Sequence, residues 1–254
     1  FDDDARRSQR SPFTIREEST VGASTAHFSI ASSSSYNNKA IMTMMKLYGV
    51  PLSQPFRSVA WTLLQHHVNF EIVLTVPGMK NKIGTKNEIF LSKTRGRTNT
   101  VPVLEDGNVS ISESPAILSY LCERHGWDSM YGSPGSAHKA VVDSYMHWHH
   151  RNTRNIAKLQ VSKLRPDLKY VTTDKDIEDV NQVLQSLEEG WLKDDGYIAG
   201  SELSIADMLA YEEFSQVTMT GLLPQLHEYP KVTAWVDRMA QVPYHDEVHT
   251  SLTT

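Results

Sequence analysis

"LYGVPLSQPFRSVAWTLLQ", residues 47–65, decides how this chain is read. A short apolar strand stops at Val50, a Pro-Leu-Ser-Gln-Pro turn follows, and an amphipathic segment begins. Pro55 suits the first turn of a helix, where its missing N–H costs nothing. That helix is expected to run to about His66, with Val59, Trp61, Leu63 and Leu64 among its apolar residues. Such a junction leaves backbone N–H groups without partners. The lone hydroxyl there, Ser53, has two readings: it is an ordinary helix cap, or it serves a bound anion.

Working outward, "NFEIVLTV" (69–76) is β-branched and alternating, the pattern of a second strand. A short helix is expected from Gly84 to Leu91. "TVPVLEDG" and "NVSIS" (100–112) are two short strands around Asp106-Gly107, a hairpin turn pair. "ESPAILSYLCERHG" (113–126) reads as a helix capped by Ser114, with Pro115 in its first turn and Gly126 ending it. The order β-α-β-α-β-β-α is thioredoxin-like. After "GSPGS" (132–136) the strand signals vanish. "AHKAVVDSYMHWHHRNTRNIAKL" (137–159) is expected as one long helix. "TDKDIEDVNQVLQSLEEGWL" (173–192) is another, with Ile177, Val180, Val183, Leu184 and Leu187 on one face. "LSIADMLAYEEFSQV" and "YPKVTAWVDRMAQV" follow, the former opening on a Ser204/Asp207 capping box. The fold class is therefore α/β plus all-α: a thioredoxin-like domain over 45–127, then an all-helical domain over 136–254. Residues 1–44 are Ser-rich and lack apolar periodicity, and are expected to be a disordered leader or a targeting segment.

The bulk numbers narrow the function. Of 254 residues, 39% are hydrophobic and 22% charged, enough for a packed core. The net charge of -5 argues against a nucleic-acid partner, and no apolar run is long enough to span a bilayer. The single cysteine, Cys122, excludes an intramolecular disulfide and a thiolate metal cluster within one chain.

Three loops carry chemistry. In the first, "SQPF" (53–56), a serine and a phenylalanine stand where a Cys-x-Pro-Cys redox motif has its sulfurs, so disulfide exchange is excluded. A hydroxyl at a helix amino end can instead donate to a thiolate that a ligand brings. Lowering a thiol pKa from ~8.5 by ~2 units needs roughly 3 kcal/mol, which one charge-assisted hydrogen bond and the helix dipole can supply. In the second, Pro102 lacks a ladder donor at the start of a strand. A cis Val101–Pro102 bond would leave the Val101 N–H and C=O to pair with an extended peptide; a trans proline opening an edge strand is the plainer reading. In the third, the N–H groups beginning "ESPAI" attract a carboxylate, Ser114 adds a hydroxyl, and Glu113 pairs with an ammonium. A plain Ser cap explains Ser114 and Pro115 but not Glu113. Together the loops suit a small peptide with a thiol in the middle and an amino-acid end, a description that glutathione fits.

From Met45 to about Val242 the chain resembles a cytosolic glutathione transferase of the serine-type classes, theta above all. The stretches that carry this are "LYGVPLSQPFRSVAW", "VPVLEDGNVSISESPAILSYL" and "LSIADMLAYEEF". The resemblance implies Ser53 as the residue assisting the thiolate, Val101 with Pro102 as the backbone anchor, and Glu113 and Ser114 as γ-glutamyl binders. It implies a homodimer, glutathione as co-substrate with no other cofactor and no metal, a small electrophilic second substrate, and no nucleic-acid or membrane partner. The expected compartment is the cytoplasm, or a plastid or mitochondrion if residues 1–44 are a transit peptide. "SKTRGRTNTVP" (92–102) departs from the family pattern: it lacks an Asn-Pro before the Val-Pro pair and has Thr100 beside Val101. Lys82, Lys86, Arg95 and Arg97 are candidates for the glycyl carboxylate, with none preferred. His147 and His150 of "HWHH" tempt as a metal pair but lack an acidic or thiol companion; His149 and Tyr145 are expected to face the cavity or the core. Peroxidase or dehalogenase chemistry fits the same site. The rival class is a non-catalytic binding module on the same fold, and the joint retention of Ser53, Glu113 and Ser114 favours the enzyme.

Overall fold

The computed structural model describes residues 25–28, 44–160, 166–192, 196–219 and 226–250. Five strands form one mixed sheet: β1 (Thr25–Phe28), β2 (Met45–Gly49), β3 (Phe70–Leu74), β4 (Val103–Asp106) and β5 (Val109–Ser112), in the order β1-β3-β2-β4-β5. The central strand β2 runs parallel to β3, with Leu47 beside Ile72, and antiparallel to β4, with Leu47 beside Leu104. A parallel pair needs a crossover. Helix α1 (Gln54–Gln65) supplies it, and α3 (Ser114–His125) follows the β4–β5 hairpin. The edge strand β1 is a correction to the sequence reading. Thr25–Phe28 lies inside the expected leader, yet pairs antiparallel with β3, Thr25 opposite Val73. Apart from Met44, the rest of that leader lies outside the described residues.

Two short helices, α2 (Glu88–Lys93) and α4 (Asp128–Tyr131), accompany the sheet, and the longer elements described after them are helices: α5 (Ala137–His149), α6 (Asp174–Ser186), α7 (Ile205–Met219), α8 (Pro230–Met239) and α9 (His245–His249). Three expectations need correction. Helix α2 starts four residues later than Gly84, because the Asn87 side chain caps it at Phe90 N, 2.9 Å. The long helix expected over 137–159 stops at His149 and gives way to a 3-10 turn, Thr153–Ala157. Asn152 Nδ2 donates to Trp148 O (2.8 Å) and Asn155 Nδ2 to Arg151 O (2.8 Å), the local side-chain bonds by which asparagine competes with a helix. Ile177 is 44% exposed, while Val180, Val183, Leu184 and Leu187 are buried as the periodicity requires.

One apolar core runs through both halves. Trp61 of α1 is its pivot: it is fully buried, its Nε1 donates to Pro243 O (2.7 Å), and its ring meets Tyr211 of α7. Burying Phe56, Val59 and Leu63 on the same helix contributes about 1.5–3 kcal/mol each. Helix α7 is anchored by Asp207, whose carboxylate accepts from Ile198 N (2.8 Å), Ser204 N (2.9 Å), Ser204 Oγ (2.7 Å) and Trp235 Nε1 (3.0 Å). Half of the expected Ser204/Asp207 capping box is thus present, Asp207 accepting from the Ser204 N–H, and the Ser204 hydroxyl donates to the same carboxylate.

Candidate active site

The turn before α1 holds Ser53 in place. The Ser53 N–H donates to Val50 O, 2.9 Å, and the backbone is extended at φ -83, ψ 118. Ser53 stands at the N-cap position, yet its hydroxyl makes no capping hydrogen bond. An ordinary cap would use that oxygen on an N–H of the first turn. The hydroxyl is left for another partner, at an amino end where the helix dipole favours negative charge.

The Val101–Pro102 bond is cis. Pro102 is buried and β4 begins one residue later. Val101 is half-buried, and among the described residues its N–H and C=O take no backbone partner. Glu113, not Ser114, is the N-cap of α3, and makes no side-chain cap bond. Its backbone sits at φ 71, ψ 114, a region that costs a non-glycine residue roughly 1–3 kcal/mol and that clusters at ligand clamps. The sequence gives no sign of this; a serine cap was expected one residue on. The Glu113 side chain is exposed, and Ser114 is buried at the first helical position.

These loops meet. A cavity of about 230 Å³ is lined on one side by Pro55, Val101, Pro102, Glu113 and Ser114. Ser53 is not on its wall; it lies two residues before Pro55, half-buried. Thr100, the departure beside Val101, does line it, whereas Lys82, Lys86, Arg95 and Arg97 do not. Arg97 is instead tied to the carbonyls of Thr94 (3.0 Å) and Ser110 (3.1 Å).

Residues 47–134 match the family model "Glutathione S-transferase, N-terminal domain", and residues 155–243 match "Glutathione S-transferase, C-terminal domain". The chain is 30% identical to the rat glutathione S-transferase theta-2 over 205 residues, covering 77% of this chain and 80% of that one. The chain belongs to the glutathione S-transferase family. A chicken glutathione S-transferase theta-1 is 28% identical over 219 residues, 78% of this chain and 83% of the relative. Human glutathione transferase theta-2, solved in complex with glutathione and an unknown ligand, superposes with a TM-score of 0.70 at 27% identity, over 82% of this chain and 87% of that one.

The opposite wall of the transferase cavity is charged. It includes His149 and His150 at the end of α5, Arg154 of the 3-10 turn and Glu213 of α7. Arg154 Nη1 donates to Glu213 Oε1 at 2.5 Å, and His149 Nε2 lies 3.7 Å from the same oxygen. Burial works against the Glu213 carboxylate, but the Arg154 charge and His149 beside it bring its pKa below the ordinary value. Burial pushes the His149 imidazole below its ordinary value, against the pull of Glu213. His149 and Tyr145 take the two places expected of them: His149 lines the cavity, and Tyr145 is core, its hydroxyl paired with Thr153 Oγ1 at 2.8 Å. Arg154 and Glu213 were missed. They are 59 residues apart, and no spacing rule joins them. Among the described residues no group of three or more His, Cys, Asp or Glu side chains is arranged to hold a metal ion. Cys122 is buried and does not line the cavity, and burial pushes its thiol up to about 12.

Proposed function

We propose that this chain binds glutathione across the 45–127 domain and delivers its thiolate to a small electrophile, with the 136–254 helical domain walling the second-substrate side. The observation that carries the reading is the meeting of Val101, Pro102, Glu113 and Ser114 on one cavity at the amino ends of α1 and α3. Val101 offers an unpaired N–H and C=O to the cysteinyl backbone, as an added strand does. Ser114 and the α3 amino end face the γ-glutamyl carboxylate, and Glu113 takes its ammonium. Ser53, with no capping duty, donates to the sulfur and holds it anionic. The reaction is substitution or addition by sulfur, helped by positioning and by a lowered thiol pKa. Glutathione is a co-substrate, and no other cofactor enters the scheme. A homodimer acting in the cytoplasm is part of the same proposal.

Titration calorimetry with glutathione and with Cys-Gly, which lacks the γ-glutamyl group, tests the assignment. Glutathione is expected to bind at least about tenfold more tightly, equivalent to ~1.4 kcal/mol. Glu113→Ala should weaken glutathione and leave Cys-Gly unchanged. Equal affinity for both peptides, or equal loss for both in the variant, contradicts the γ-glutamyl clamp.

A further inference from the structure

Arg57 is one of the most deeply buried side chains, 1% exposed, four residues past Ser53 on α1. It meets the Ser53 turn through the ordinary helical backbone bond and, by its guanidinium, through one carbonyl. Its backbone N–H donates to Ser53 O (3.0 Å) and its Nη1 donates to Pro51 O (3.0 Å). The rest of the guanidinium faces α7: Nε donates to Glu212 Oε2 (2.6 Å), and Nη2 reaches Glu212 O and Ser215 Oγ, both at 3.4 Å. Glu212 is itself fully buried, and the Nε2 of His249 on α9 lies 3.3 Å from its carboxylate. The other ring nitrogen of His249 lies 2.6 Å from His245 O. A continuous polar chain therefore runs from the turn that bears Ser53, through one guanidinium and one carboxylate, to the last described helix.

A buried ion pair of this kind adds little stability over a well-packed apolar pair, because desolvation offsets its attraction. What it does fix is geometry: a guanidinium presents its donors in a rigid fork, which a lysine ammonium cannot reproduce. We propose that Arg57 is a positioning residue, setting the direction of the Ser53 hydroxyl and hence the acidity of bound glutathione, and that Glu212 and His249 hold Arg57 to that task. This rests on the reading of Ser53 as the thiolate donor. The link is steep because a hydrogen bond weakens sharply once it is misaligned. Arg57 does not line the cavity; it acts through Ser53.

The test is the thiolate absorbance of glutathione bound to the full chain, titrated against pH in wild type, Ser53→Ala, Arg57→Lys, His249→Gln and the double variant Arg57→Lys/Ser53→Ala. Thermal unfolding confirms which variants are folded. Arg57→Lys is expected to raise the thiolate midpoint by about one unit, a tenfold smaller thiolate fraction below it, and His249→Gln by a smaller step in the same direction. KM for the electrophile should not change. In the Ser53→Ala background Arg57→Lys should add nothing, because its effect passes through the missing hydroxyl. His249→Gln lies at the periphery and reads the same coupling if Arg57→Lys does not fold. A Ser53-dependent midpoint that stays at the wild-type value in folded Arg57→Lys and His249→Gln, or shifts that simply add in the double variant, overturns this inference alone. A wild-type midpoint that Ser53→Ala leaves in place overturns the site reading along with it.

Discussion

Replacing Glu113 with glycine should move stability and binding in opposite directions. At φ 71, ψ 114 the backbone of Glu113 lies where a side chain is strained. Such strain costs of order 1–3 kcal/mol, and glycine relieves it. Glycine also gives the unfolded chain more freedom, a cost of roughly 0.5–1 kcal/mol. The net expectation is a gain of roughly 0–2.5 kcal/mol in unfolding free energy, centred on about 1 kcal/mol. The same change removes the carboxylate proposed to hold the γ-glutamyl ammonium. A hydrogen bond between charged groups contributes about 1.5–3 kcal/mol, and the exposure of Glu113 places it at the lower end. Glutathione affinity should then fall by roughly tenfold. Urea unfolding gives the first quantity and calorimetric titration the second. Glu113→Ala separates the two effects, because it keeps the strain and loses the carboxylate. Binding should fall in both variants, with stability rising only in the glycine one. A glycine variant that is less stable, or that binds glutathione as wild type does, refutes the idea that this residue is held in strain for a ligand.

Other outcomes follow from the core and the cavity wall. Asp207→Ala strands four buried donors, Ile198 N–H, Ser204 N–H, Ser204 Oγ–H and Trp235 Nε1, and should cost about 3–5 kcal/mol by chemical denaturation; a loss under about 1 kcal/mol would show that these groups find other partners. Acid should destabilise the protein in two stages. His149 has its pKa held below 6.5 by burial, so on acidification the unfolded chain takes up its proton first. Its contribution is intact above about 6.5 and is lost as pH falls toward the folded value; the lowered carboxyls of Glu213 and Glu212 add a second loss below about 4.5. Denaturation across this range should show the decline, shallower in the first stage for His149→Gln, and a flat profile would contradict it. Cys122 should resist a thiol reagent in the native state and react at once in urea; rapid native labelling would place it outside the core.

Much of the sheet was legible because its signals are local. β-Branched alternation marks β3, Asp106-Gly107 marks the hairpin, and prolines in the first turns mark α1 and α3. Val101, Pro102, Glu113 and Ser114 could be grouped because each stands at a loop whose end of the sheet is set by strand order. Long-range features were not legible. The pairing of Arg154 with Glu213, and of Arg57 with Glu212 across 155 residues, depends on helix packing that no spacing encodes. The end of α5 at His149 was missed because its apolar periodicity continues past the asparagines that break the helix. The strand Thr25–Phe28 was missed because a partner edge, not its own composition, makes it a strand.

The most direct measurement is the pH titration of thiolate absorbance for glutathione bound to wild type and to Ser53→Ala. Loss of one charge-assisted bond, ~1.5–3 kcal/mol, should raise the midpoint by about one to two units while glutathione still binds. Should the two proteins titrate together, or should wild type bind glutathione with its thiol as weakly acidic as in water, Ser53 does not hold the sulfur and the account of this site is wrong.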